Sequence, residues 1–228
     1  MTNYVRSFFQ ELFTTSNPHR LPELLDKVQP RVTSDMHAIL DAEFTREEVK
    51  AALDHIGDLK APGPDGFPAR FFQKNWLVMK GEIIRVVQEF FRTGVMPDGV
   101  NETVILLIPK VDEPVRMTDF RPISLCNVIY KIVSKCLVNR LRPLLADLIS
   151  ENQSAFIPGR LISDNSIIAF ECIHHIKQEK DTTKSFCTYK LDLSKAYDRV
   201  DWKFSRQVMQ KLGFSQRWVD WIMSCVTS

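Results

Sequence analysis

The chain has 228 residues, 44% of them hydrophobic and 25% charged, a balance that excludes a stapled mini-protein, a disordered tail and a fibrous repeat. Formal charge is only +2, but residues 1–102 hold 12 Lys and Arg against 15 Asp and Glu, whereas residues 103–228 hold 18 against 13. A polyanionic partner would therefore meet the second half, although ordinary surface variation accounts for the swing equally well.

The five cysteines form no C-x-x-C pair, so neither a disulfide framework nor a zinc knuckle is readable, and a reducing compartment is expected. No run reaches the roughly 18 apolar residues of a membrane span. The first residues lack the basic-then-apolar layout of a signal peptide. The expectation is a soluble protein of the cytoplasm or nucleus, neither secreted nor membrane-bound.

The first forty residues predict short helices around Phe8 to Phe13 and Leu24 to Val28, broken by Pro18, Pro22 and Pro30. Thr45 and Glu48 have capping-box spacing, and Phe44 can staple onto Val49. The helix they open runs to about Ile56, with Gly57 as its stop. Three prolines and two glycines between Ala61 and Pro68 forbid regular structure and predict a fixed, exposed loop.

A second helix is predicted from Ala69 to Thr93, ending at Gly94. Val104 to Ile108 and Phe120 to Leu125 read as two short strands able to form a hairpin, with Pro122 indicating an edge. Residues 128–149 carry apolar side chains at helical spacing, with a bend near Pro143 and with Lys131, Lys135, Arg140 and Arg142 among the polar positions. A further helix is expected from Asp164 to Gln178, capped by Ser163. Phe186 to Leu193 has the composition of a strand. Asp201 caps a helix that Gly213 ends, and an apolar-faced segment with Trp218, Trp221 and Ile222 closes the chain.

The sharpest local feature is Leu191-Asp192-Leu193-Ser194-Lys195-Ala196-Tyr197-Asp198. A carboxylate at a strand end can hold a divalent ion, and Asp192 with the Leu193 main-chain carbonyl could give Mg²⁺ two hard oxygen ligands. On spacing alone the same residue also fits a simple cap of the following turn. His174 and His175 diverge by about 100° around a helix and cannot chelate from one face. Asp201 reads as a helix cap.

Five blocks then come together: A-P-G-P-D-G at 61–66, L-I-P-K at 107–110, D-F-R-P-I-S-L-C-N-V-I-Y-K-I at 119–132, E-N-Q-S-A-F-I-P-G-R at 151–160 and L-D-L-S-K-A-Y-D at 191–198. In this order and spacing the chain resembles the reverse transcriptase of LINE-type (non-LTR) retrotransposons, particularly those of plants. The resemblance implies an α+β fold: right-hand polymerase fingers and a partial palm, mostly helical with a small antiparallel sheet. Residues 1–59 would form a helical N-terminal extension, 60–185 the fingers and 186–228 the start of the palm.

The same resemblance implies RNA-directed DNA polymerisation, with RNA template, DNA primer, dNTP and Mg²⁺. Asp192 would be the first catalytic carboxylate, assisted by the Leu193 carbonyl. Lys110, Arg121 and Tyr197 would hold the incoming dNTP, Tyr197 as the gate beneath the deoxyribose. Gln153 and Arg160, together with Asp65 and Gly66, would contact the template. The family's paired-carboxylate turn is missing, since the chain has no Asp-Asp dipeptide. The chain is expected to be a fragment, inactive alone and weak in Mg²⁺ binding. A non-catalytic RNA- or DNA-binding module and an inactive remnant are the alternative readings.

Overall fold

In a computed structural model, the residues described are 2–15, 21–179, 186–192 and 196–227. The N-terminal region holds α1 (Thr2–Leu12), α2 (Leu21–Leu25) and α3 (Ser34–Leu40), the last capped by the Thr33 hydroxyl. α4 (Arg46–Asp54) begins at the predicted capping box: Glu48 N–H donates to Thr45 Oγ1 at 3.2 Å, and Thr45 N–H returns to Glu48 Oε2 at 2.8 Å. α4 ends at Asp54 with His55 as its C-cap, short of Gly57, and the next amide, Ile56 N–H, donates to Leu53 O at 3.1 Å in a tightened last turn.

The predicted helix from Ala69 to Thr93 is two helices, α5 (Ala69–Lys74) and α6 (Trp76–Thr93). Asn75 separates them with φ −98° and ψ 18°, and its side-chain amide donates to Phe71 O at 2.8 Å. The break lets Phe72 and Ile83 reach one core from two axes, something a single apolar stripe does not reveal. Gly94 ends α6 in the left-handed region at φ 73°, where a side chain would be strained.

β1 (Thr103–Pro109) and β2 (Phe120–Cys126) form the expected antiparallel hairpin, with Leu107 opposite Pro122 and Ile108 opposite Arg121. Pro122 is tolerated because each strand of this ribbon keeps one open edge. α7 (Val128–Leu141) runs into a 3₁₀ turn at Arg142–Leu144 and a last turn, α8 (Leu145–Leu148), so the bend falls at Pro143 as its ring requires.

α9 (Ile162–Gln178) begins before Ser163, which lies inside the helix and does not cap it. The start is set instead by Asp164 N–H on the Leu161 carbonyl and by the buried Ser154, whose hydroxyl donates to Asn165 Oδ1 at 2.8 Å. α10 (Trp202–Leu212) is capped by Asp201, which accepts from Phe204 N–H, and ends at Gly213 with φ 95°. α11 (Gln216–Thr227) completes the chain.

One core joins α3, α4, α5, α6, α7 and α11, centred on Leu40, Val49, Leu53, Val87, Phe90, Ile132, Val133 and Trp218. It therefore draws on residues from Met36 to Cys225, from each of the three stretches expected from the sequence. The Phe44 and Phe91 rings stack at 3.7 Å, Trp221 meets Phe91 edge-on at 5.2 Å, and Trp221 Nε1 donates to Phe91 O at 3.0 Å. A ring cluster with its indole N–H satisfied ties the last helix to α6.

The segment from Phe186 to Asp192 is not a strand. Among the described residues only β1 and β2 pair, and backbone amides without a neighbouring strand gain nothing from the extended conformation. Phe186, Tyr189 and Leu191 are exposed accordingly. Leu193 lies outside the described residues.

Candidate nucleic-acid and triphosphate site

The hairpin places two cations together. Strand alternation sets Arg121 on the face of Ile108, and Lys110, two residues on, continues that face just past the end of β1. Both side chains are exposed. Lys110 Nζ donates to Thr118 O at 2.8 Å and its amide to Asp119 O at 2.7 Å, so the Lys end of the ribbon is tied to the turn that closes it. Asp119 braces that turn by accepting from the Arg116 and Val115 amides, and these bonds hold its carboxyl below the usual range. A point charge and a planar fork on one hairpin face suit a polyphosphate.

The opposite face of the ribbon, with Thr103, Ile105 and Ser124, lines a groove of about 1010 Å³ that also takes in Phe8, Leu12, Asp198 and Trp202. The turn after Asp192 thus stands across an open groove from the hairpin. Tyr197 begins that turn, a 3₁₀ segment from Tyr197 to Arg199. Asp192 is exposed on the unpaired segment. No cluster of three or more His, Cys, Asp or Glu residues able to hold a metal occurs among the described residues. Asp192 alone does not fit a two-metal centre.

The Pro/Gly loop is fixed by contacts far away in sequence. The buried Asn127 accepts from Asp65 N–H at 3.2 Å and donates to Gly99 O at 2.9 Å, while Lys131 Nζ donates to Ala61 O at 2.9 Å. A Cβ on Gly63 would lie 2.3 Å from Asn127 Oδ1 and 2.4 Å from its amide nitrogen. Glycine is needed there for close approach. The Asp65 side chain accepts from Phe67 N–H at 3.0 Å, an Asx turn, and Gly66 takes φ 75°.

In the loop 151–160 the Arg160 guanidinium faces inward. It donates to Ser150 O at 2.6 Å, Gln153 O at 2.7 Å, Ala146 O at 3.0 Å and Ile149 O at 3.3 Å. Arg160 thereby satisfies carbonyls left open at the end of α8 and folds the loop back on itself. The Gln153 side chain donates to Ala155 O at 3.3 Å and is exposed.

Two positions that organise this region, Asn127 inside the 119–132 block and Arg140, are not among the site residues expected from the sequence. Asn127 immediately precedes α7 yet makes no side-chain cap to it. Arg140 falls on the apolar stripe of Ile132, Val133, Cys136 and Leu137, and a charge on such a stripe is the signal that marks it as internal.

Residues 108–228 match the model of the reverse transcriptase (RNA-dependent DNA polymerase) family. The chain belongs to this family. It is 32% identical over 225 residues to a transposon TX1 149 kDa protein of Xenopus laevis, covering 98% of the chain and 17% of that protein. It is 24% identical over 204 residues to the Pol polyprotein of the type-2 retrotransposable element R2DM of Drosophila melanogaster, covering 86% of the chain and 18% of the polyprotein. A type-1 element R2 polyprotein of Popillia japonica is 24% identical over 173 residues, which is 76% of the chain and 23% of the relative. The chain is a LINE-type reverse transcriptase domain in part, and it spans less than a quarter of each of these relatives. No helix among the described residues is long and apolar enough to cross a membrane.

Proposed function

We propose that this chain is the fingers and first palm segment of a non-LTR retrotransposon reverse transcriptase, an enzyme that copies RNA into DNA from a primer. The observation that carries the reading is the hairpin that sets Lys110 and Arg121 on one exposed face, within the stretch matching the reverse transcriptase family. In this reading residues 1–59 are the N-terminal extension, 60–185 the fingers and 186–228 the palm start. Lys110 and Arg121 grip the triphosphate of an incoming dNTP, and Tyr197 screens its sugar. The loops holding Gln153, Arg160, Asp65 and Gly66 face the template. Arg160 serves that role as a positioning residue, since its four backbone bonds shape the loop. The protein works in the cytoplasm or nucleus.

Asp192 is the first metal-binding carboxylate of the complete enzyme, which uses Mg²⁺; the Leu193 carbonyl is its expected companion. One carboxylate on an unpaired segment does not assemble that centre, so this chain alone does not polymerise. Primer extension on an RNA template with Mg²⁺ and dNTPs is expected to give no template-dependent product. Product that Asp192→Asn removes would overturn this. Equilibrium binding of a dNTP is expected to weaken roughly tenfold in Lys110→Ala and in Arg121→Ala. Unchanged binding in both would overturn the triphosphate assignment.

The exposure of Asp192 and the absence of a carboxylate cluster among the described residues favour a second reading for the isolated chain, a nucleic-acid-binding module without chemistry. Salt-dependent RNA binding unaffected by Asp192→Ala is its expected signature.

A further inference from the structure

The turn that closes the hairpin is organised by one side chain. Asp119 Oδ2 accepts from the Val115 amide at 3.1 Å and the Arg116 amide at 2.8 Å, and Oδ1 accepts from the Thr118 hydroxyl at 3.4 Å. These bonds fix a 3₁₀ turn at Met117–Asp119, whose Met117 side chain is buried. The turn aims two consecutive carbonyls at one residue: Thr118 O accepts from Lys110 Nζ at 2.8 Å, and Asp119 O accepts from the Lys110 amide at 2.7 Å. Backbone and ammonium of Lys110 are thus both set by the turn, and two of the three ammonium N–H groups are left for a ligand. Phe120, directly after Asp119, opens the strand that carries Arg121.

We propose that Asp119 is a positioning residue for triphosphate binding, holding Lys110 and Arg121 at the spacing that the phosphates bridge. The inference rests on the triphosphate reading of that hairpin face and names the residue that shapes it. Electrostatics alone argues the reverse, because a carboxylate on the hairpin repels a polyanion and its removal would tighten binding. Geometry opposes this: without the turn, the ligand itself would have to order the long Lys110 side chain, at a cost in affinity. The two effects have opposite signs, so substitution of Asp119 separates them. A single oxygen, Oδ2, takes both amides, so asparagine keeps both bonds through its carbonyl oxygen while losing the charge. The buried core has no member between Val100 and Val128, so the turn can change without disturbing it.

The test is fluorescence anisotropy of the 228-residue chain with a fluorescently labelled dATP, competed by unlabelled dATP, alongside thermal melts. Lys110→Ala and Arg121→Ala are the reference variants. Asp119→Ala is expected to weaken binding roughly 3- to 10-fold, and Asp119→Asn to bind at least as tightly as the parent. Asp119→Glu keeps the charge but carries its carboxylate one methylene too far, and is expected to weaken binding as Ala does. All three are expected to melt with the parent, because the turn lies outside the core. Asp119→Ala binding as tightly as the parent or tighter, while the reference variants weaken, overturns the positioning role and leaves the triphosphate reading standing. Asp119→Asn as weak as Asp119→Ala would make charge the cause and also overturn it. A lowered melting temperature that accompanies the lost affinity would reduce Asp119 to a stabilising residue, again against the proposal. No dATP binding by the parent, or binding that neither reference variant weakens, overturns the triphosphate reading and the proposal together.

Discussion

Arg140 holds its guanidinium carbon 3.4 Å from the centre of the Phe44 ring while its Nε and Nη2 donate to the Glu48 carboxylate at 2.6 and 2.7 Å. The same group donates to the carbonyls of Leu40, Ala42 and Glu43. One side chain from α7 therefore seals the α3–α4 corner, caps open carbonyls and anchors the carboxylate of the capping box that starts α4. The planar fork and its stacking on a ring are properties of arginine that lysine lacks.

Arg140→Ala removes one partner of a mostly buried pair and leaves three carbonyls unsatisfied. A loss of about 3 kcal/mol in unfolding free energy is expected. Arg140→Lys is expected to recover only a minor part, since one ammonium cannot bridge Glu48 and three carbonyls. Urea unfolding followed by tryptophan fluorescence measures both. A lysine variant as stable as the parent would show that charge alone matters here.

Desolvation pushes the Glu48 carboxyl upward, but the Arg140 guanidinium and the Thr45 amide outweigh it, and the group sits below its ordinary value of 4.5. A carboxylate whose folded value is depressed contributes stability that is complete above 4.5 and is lost as pH falls through the folded value. The gap in melting temperature between parent and Arg140→Ala is therefore expected to be widest near neutrality and to narrow in acid. A gap that widens as pH falls would contradict the pairing.

Gly63 packs against the backbone of Cys126 and Asn127, where a Cβ would sit 2.5 Å from the Cys126 carbonyl carbon. Backbone cannot swing aside as a flexible side chain can. Gly63→Ala is expected to cost about 1–3 kcal/mol by overpacking and to loosen the Asp65–Asn127 and Asn127–Gly99 bonds. Gly66→Asn, at a left-handed position with open space around it, is expected to be nearly neutral. Paired thermal melts distinguish the two. Equal destabilisation would show that loop entropy, and not contact with Asn127, dominates.

What the sequence determined by itself is what short-range physics controls. The capping box of Thr45 and Glu48, the Asp201 cap, the glycine stops at Gly94 and Gly213 and the Pro143 bend each depend on neighbours within a few residues. The hairpin belongs here too, because its strands lie close in sequence and its apolar runs are bounded by turn residues. The family blocks named the chemistry to look for, and the family match bore out the reverse transcriptase reading.

Tertiary structure decided whatever needed a distant partner. Phe186 to Asp192 has the residues of a strand, but a strand is a pairing, and no neighbour pairs with it among the described residues. Asn75 splits one helical pattern in two because Phe72 and Ile83 must enter the same core. Arg140 sits on an apolar helical stripe and Arg160 in a loop block, but neither placement names a partner. One is bonded to Glu48, 92 positions away, and the other to carbonyls of its own loop. Phe156 lies in the 151–160 block, but nothing in that block marks its left-handed backbone at φ 66°. Side-chain type sets what a residue can do, and only the folded chain sets which partners remain for it to do it with.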